Sequence, residues 1–111
     1  MVAPVRVTVA VAAVLATFLD EPAADRYGLD LMRSTGQPSG TLYPILQRLQ
    51  RAGWVTAQWE DIDPVEAGRS PRRYYRLSPD GVEAARRAVA DLARQLSRRA
   101  PVANPATGSA G

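Results

Sequence analysis

Leu42, Ile45, Leu46 and Leu49 recur at the spacing of one face of an α-helix, and nothing else in the chain limits its fold as tightly. Gly36-Gln37-Pro38 breaks the chain just before this stripe and Gly53 just after it, which bounds the helix at about residues 39–52. Ser39 is a favourable N-cap, and Gly53 supplies the positive-φ residue that closes the helix. Pro44 is tolerable near the first turn, where few backbone bonds are lost. With one face committed to a core, Ser39, Gly40, Thr41, Tyr43, Gln47, Arg48 and Arg51 are left for other work.

The flanking segments arrange themselves around this helix. Val5, Val7 and Val9 alternate with Arg6 and Thr8, so a short strand is expected at the start. Thr8 caps a helix to about residue 19 that buries Val11, Leu15, Phe18 and Leu19. Asp20-Glu21-Pro22 ends it. A second helix is expected over about 25–35, burying Leu29 and Met32 with Leu31 beside them, and Gly36 stops it. Residues 54–60 alternate as a strand with Val55, Ala57 and Trp59 on one side. Residues 73–77 form a second strand with Tyr75 and Leu77 in step. The two prolines and the glycine between them mark a loop, giving a long-tipped hairpin. Ser78-Pro79 opens a last helix to about residue 99. Its Val82, Ala85, Val89, Leu92 and Leu96 step as a heptad seam, which suits either packing on its own domain or pairing with a second copy of the chain. From residue 100 the sequence has neither period nor charge, and 100–111 is expected to be a disordered tail.

Composition removes several function classes. There is no cysteine and no histidine, so a thiolate metal site is excluded and the commonest general base and zinc ligand are missing. Neither catalysis, a metal nor a cofactor is expected. Residues 7–19 are apolar apart from two threonines but too short to span a bilayer, and no small-residue cleavage site follows them. They read as a buried first helix of an intracellular, cytoplasmic protein without membrane attachment. The net charge is +3, and every one of the 14 basic residues is arginine. The planar fork of arginine suits phosphate and guanine, but abundant Ala, Arg, Gly and Pro without Lys is also what a GC-rich coding sequence produces, so position matters more than identity. Glu60, Asp61, Asp63 and Glu66 crowd the hairpin loop, and Arg69, Arg72, Arg73 and Arg76 follow without an acid between them.

A helix preceded by a helix and a turn, then a basic hairpin, is the order of a winged helix-turn-helix. In that fold the second helix of the pair presents its N-terminal residues to base edges in the major groove of double-stranded DNA. The residues so placed are Ser39, Gly40, Thr41 and Tyr43, with Gln47, Arg48 and Arg51 reaching bases or phosphates. Arg48 and Arg51 equally suit a solvated helix face. Arg72, Arg73 and Tyr74 suit a wing on phosphate or in the minor groove, while the neighbouring acids offer the arginines salt bridges instead.

The runs Tyr27-Gly28-Leu29-Asp30-Leu31, Ser39-Gly40-Thr41-Leu42-Tyr43-Pro44, Gly53-Trp54-Val55 and Gly68-Arg69-Ser70-Pro71-Arg72-Arg73-Tyr74-Tyr75-Arg76-Leu77-Ser78 with Gly81 together resemble the PadR-like winged-helix transcriptional regulators. The resemblance covers roughly residues 8–82. Leu29 departs from it, since that position is often aromatic in the family. The single C-terminal helix matches the family's short members. The resemblance implies a dimeric DNA-binding repressor in which Thr41 and Tyr43 approach DNA and Arg72, Arg73 and Tyr74 form the wing. It also makes Trp54 and Trp59 candidates to line a cavity for a small aromatic effector, although a buried tryptophan is more often core. The expected fold is therefore mainly α with a small β-hairpin. Residues 1–78 form the winged-helix domain, and 79–99 form a dimerisation helix whose Val82, Ala85, Val89, Leu92 and Leu96 meet those of a homodimer partner. The alternative is a protein-interaction module on the same scaffold, for which the acidic loop is the relevant feature.

Overall fold

The computed structural model describes residues 1–99; the expected disordered tail lies outside the described residues. The elements are α1 (Val9–Asp20), β1 (Arg26–Tyr27), α2 (Gly28–Thr35), α3 (Ser39–Arg51), β2 (Val55–Trp59), α4 (Pro64–Ala67), β3 (Arg73–Leu77) and α5 (Pro79–Arg99). Three strands form one antiparallel sheet in the order β1-β3-β2, with Val55 opposite Leu77 and Trp59 opposite Arg73.

The stripe that bounds α3 is the centre of the core. Leu42, Ile45, Leu46 and Leu49 are all buried, together with Val11, Val14, Leu15 and Phe18 of α1, Leu31 of α2, Val55, Tyr75 and Leu77 of the sheet, and Ala85 of α5. Thr8 caps α1 as expected, its side chain accepting from the Val11 N–H at 3.2 Å. Gly36 ends α2 in the left-handed region at φ 71°, and its N–H donates to the Met32 carbonyl at 2.9 Å. Gly53 has φ 82° and turns the chain from α3 into β2.

Several expectations are corrected. Residues 1–8 form no strand, and Val9 is already the first residue of α1. They run instead as an arm against the turn between α3 and β2: the Ala3 N–H donates to the Ala52 carbonyl at 2.8 Å, and the Trp54 indole N–H donates to the Ala3 carbonyl at 2.6 Å. The second helix starts at Gly28 rather than near residue 25, because Arg26 and Tyr27 pair with Tyr75 and Tyr74 of β3. The hairpin thereby becomes a three-stranded sheet. This later start aims Leu31 into the core and leaves Leu29 exposed and Met32 half-buried. Ser39 is the first helical residue of α3, and Pro38 precedes it as an N-cap without a side-chain bond. The hairpin loop contains the short turn α4, where the Asp63 side chain accepts from the Val65 N–H.

The heptad seam of α5 divides along its length. Ala85 is fully buried against the protomer's own core and Val82 and Val89 are partly buried on it, whereas Leu92 is half-buried and Leu96 is 49% exposed. No helix among the described residues is long and apolar enough to cross a membrane.

Candidate nucleic-acid interface

Because the stripe of α3 is buried, its other faces are presented outward. Ser39, Gly40, Thr41, Tyr43, Gln47, Arg48 and Arg51 are all exposed. Ser39 and Gly40 open the helix, where backbone N–H groups without an intrahelical partner and the helix dipole favour an anion, and Thr41 follows them. The N–H groups of Thr41 and Leu42 donate to the Pro38 carbonyl at 3.0 Å. Arg48 reaches back along its own helix, its Nε 3.4 Å from the Pro44 carbonyl, and Arg51 occupies the last turn.

The alternation of β3 sorts the wing residues onto two faces. Arg73 and Tyr75 share a face with their cross-strand partners Trp59 and Ala57, and the Arg73 guanidinium lies 5.3 Å from the centroid of the Trp59 ring. This face meets α3. Tyr43, Pro44, Gln47 and Gln50 join Arg73 and Tyr75 around one groove of about 390 Å³. A second groove, of about 480 Å³, lies between the start of α2 and the hairpin and is lined by Tyr43, Leu29, Trp59, Arg72, Arg73 and Tyr75 among others. Burial raises the Tyr75 phenol above its ordinary pKa, so it stands neutral between the grooves. Tyr43 also closes over Gly28, where an added Cβ would come within 2.0 Å of its hydroxyl. That contact ties the first helix of the pair to the second.

Tyr74 points to the opposite face. Its hydroxyl donates to Gln58 Oε1 at 2.7 Å, and its ring stands edge-on to Tyr27 with centroids 6.1 Å apart. Of the expected wing trio, only Arg72 and Arg73 join the surface formed with α3. Tyr75 and Gln50, passed over in the sequence, belong to it; the step of Tyr75 with Leu77 was the available signal for a strand face but not for a groove.

The hairpin acids are unequal. Glu60 accepts from Arg69 Nη1 at 2.6 Å and Nη2 at 3.1 Å, from the Arg72 backbone N–H at 2.9 Å and from the Tyr27 hydroxyl at 3.2 Å. The Arg69 guanidinium, then the Arg72 N–H, hold its carboxyl well below the usual range, at about 2. Arg76 pairs instead with Asp25 at 2.6 Å. Among the described residues, neither Arg72 nor Arg73 has a carboxylate partner, so the salt-bridge alternative raised for them is taken up by Arg69. Those residues also hold no group of carboxylates placed to bind a metal ion.

The two tryptophans are far from equivalent. Trp54 is buried and borders a groove of about 460 Å³ between the N-terminal arm and α5, with Val5, Ala88 and Leu92 among its walls. Trp59 is 61% exposed on the α3 side of the hairpin.

A family model described as the transcriptional regulator PadR-like family matches residues 17–87. Among solved structures, a PadR-like transcription factor from Bacteroides fragilis is 22% identical with a TM-score of 0.62, over 79% of this chain and 84% of that one. The PcaV transcriptional regulator from Streptomyces coelicolor is 26% identical with a TM-score of 0.66, over 86% of this chain and 65% of that one. BpsR from Bordetella bronchiseptica, whose DNA binding is regulated by 6-hydroxynicotinic acid, is 20% identical with a TM-score of 0.66, over 90% of this chain and 70% of that one. No curated protein sequence matches the chain.

Proposed function

Because the chain belongs to the PadR-like family of transcriptional regulators, we propose that it is a homodimeric repressor that binds double-stranded DNA in a sequence-specific way. One observation carries this reading: the exposed face of α3 and the carboxylate-free pair Arg72 and Arg73 meet across shared grooves. Thr41, Tyr43 and Gln47 are the base-reading candidates in the major groove, with Ser39 and Gly40 at the phosphates. Arg72 and Arg73 anchor the wing on the backbone, and Arg48 and Arg51 extend the basic surface along α3.

The dimer contact falls to the outer half of α5, where Leu92 and Leu96 are not consumed by the protomer's own core. A small aromatic effector fits the groove beside Trp54, next to that contact, so binding there would alter the spacing of two α3 helices. Trp59 belongs to the DNA-facing surface instead. The interaction-module reading is weakened, because Glu60, one of its four acids, is folded inward onto Arg69.

In vitro selection from a random duplex pool tests the proposal. The expected product is an inverted repeat whose half-sites lie about one DNA turn apart, or a multiple of it. A pool that shows no enrichment refutes DNA binding, and an unrepeated single site refutes the dimer.

A further inference from the structure

The Glu60 carboxylate has a role that DNA contact does not explain. The β2–β3 ladder continues one step past Trp59 and Arg73, where the Glu60 N–H donates to the Arg72 carbonyl at 2.8 Å. The return donor, the Arg72 N–H, is accepted by the Glu60 side chain at 2.9 Å. The same carboxylate takes two bonds from Arg69, on the far side of the loop, and one from Tyr27, the residue that leads into α2. A single side chain thus closes the root of the hairpin loop, holds down its returning limb and joins the hairpin to the helix pair. Its side chain is only 14% exposed although it carries a full charge, so it is turned inward and cannot itself meet a ligand.

We propose that Glu60 is a positioning residue for the wing: with Arg69 and Tyr27 it fixes the backbone at Arg72 so that the Arg72 and Arg73 side chains are presented toward the groove shared with α3. The loop between Glu60 and Arg72 has no other side-chain tie to the strands among the described residues. Its own bonds, from the Val65 N–H to the Asp63 carboxylate and within α4, order the tip but not its attachment. Without the carboxylate, the two arginines must be ordered when DNA binds, which lowers affinity. This inference rests on the DNA-binding reading, and its sign separates it from simple electrostatics. Removing a negative charge from a DNA-facing loop strengthens binding if charge alone matters, whereas removing a positioning group weakens it.

The test is a cycle measured by fluorescence anisotropy on duplex DNA at fixed salt. Glu60→Ala is expected to weaken binding about tenfold, and Asp61→Asn, which removes an exposed charge from the same loop, to strengthen it slightly. In a protein already carrying Arg72→Ala and Arg73→Ala, adding Glu60→Ala is expected to cost nothing more, because nothing remains to be positioned. Tighter binding by Glu60→Ala, or the same loss in both backgrounds, overturns the proposal. Hydrogen exchange of the Arg72 amide in the free protein provides the second arm. It is expected to be slow in the parent and fast in Glu60→Ala, and equal rates overturn the proposal. Failure of the parent to bind any duplex, with the exchange difference intact, would defeat the DNA-binding reading while leaving Glu60 as the residue that orders the wing.

Discussion

Gly81, in the first turn of α5, offers a substitution for which two physical arguments give opposite signs. Helix propensity favours Gly81→Ala by about 1 kcal/mol, since alanine loses less backbone entropy on entering a helix. The structure argues the reverse. A Cβ at Gly81 would lie 2.0 Å from the Trp54 carbonyl oxygen and 2.7 Å from its carbon. That is about 1.3 Å short of the ~3.3 Å at which carbon and carbonyl oxygen ordinarily meet. The obstructing atoms are main chain, so no rotamer change relieves them. They are also held in place: the Ser78 N–H donates to that carbonyl at 3.0 Å, the Ser78 hydroxyl donates to the Gly53 carbonyl at 2.6 Å, and the Gly81 N–H donates to the Ser78 hydroxyl at 3.0 Å. Moving α5 away to admit a methyl group stretches these bonds, each worth about 1 kcal/mol, and adds an overpacking cost of about 1–3 kcal/mol. Against the propensity gain, the net loss is about 2 kcal/mol, or a fall in melting temperature of roughly 10 °C for a domain of this size. Urea and thermal denaturation followed by circular dichroism measure it. Gly40→Ala is the control, because its new Cβ meets nothing within 4 Å, and it is expected to be neutral or stabilising by up to about 1 kcal/mol. If Gly81→Ala is as stable as the parent, the close approach of α5 to the Trp54 backbone is wrong.

Anchoring and readout should separate by mutation. Arg72→Ala and Arg73→Ala are each expected to make the salt dependence of DNA binding shallower by about 0.9 in log–log slope per subunit, on specific and random duplexes alike. Thr41→Ala or Gln47→Ala should instead narrow the gap between operator and random DNA by about 1–3 kcal/mol per lost base contact, and uniform effects of all four contradict the division. Acid should unlatch the wing. The Glu60 carboxyl is depressed from its ordinary value of 4.5 to about 2, so the stability it contributes is present above pH 4.5 and fades as pH falls toward 2. The difference in urea midpoint between the parent and Glu60→Gln is expected to shrink over that window, and a constant difference rules the linkage out. Leu96→Asp should convert dimers to monomers in sedimentation without lowering the melting temperature of the dilute protein, because Leu96 is half-exposed on the protomer; an unchanged sedimentation coefficient removes the outer half of α5 from the interface.

How much of this was legible in the sequence depended on whether a residue's role was periodic or reciprocal. The stripe of α3 was legible because four apolar residues at helical spacing have one physical solution, and all four are buried. Gly36 and Gly53 were legible because the turns they make require a positive φ. The two-residue strand Arg26–Tyr27 was not, since a pair of residues has no period and its pairing is dictated by β3, about fifty positions away. Leu29 misled for a related reason. In a helix of eight residues, moving the start by three changes which side chain faces inward, and Leu31 took the core position.

The charges of the hairpin show the limit of composition most clearly. Four acids followed by four arginines suggest mutual neutralisation, yet the pairing is selective: Arg69 takes Glu60, Arg76 takes Asp25 from outside the hairpin, and Arg72 and Arg73 have no carboxylate partner among the described residues. Strand alternation explains much of the sorting. Glu60 lies on the face of Gln58, with Tyr27 and Tyr74, and Arg76 opens to that same face, whereas Arg73 lies on the other with Trp59 and Tyr43. Neutralisation is therefore confined to one side of the sheet and cationic character to the other, the side that α3 adjoins. A one-residue shift of β3 against β2 would exchange these faces, bringing Tyr74 to the groove and Arg73 toward Glu60. The β2–β3 register thus decides which hairpin arginines stay without a carboxylate partner on the α3 side, and the buried Val55–Leu77 pair lies at the opposite end of the strands from them.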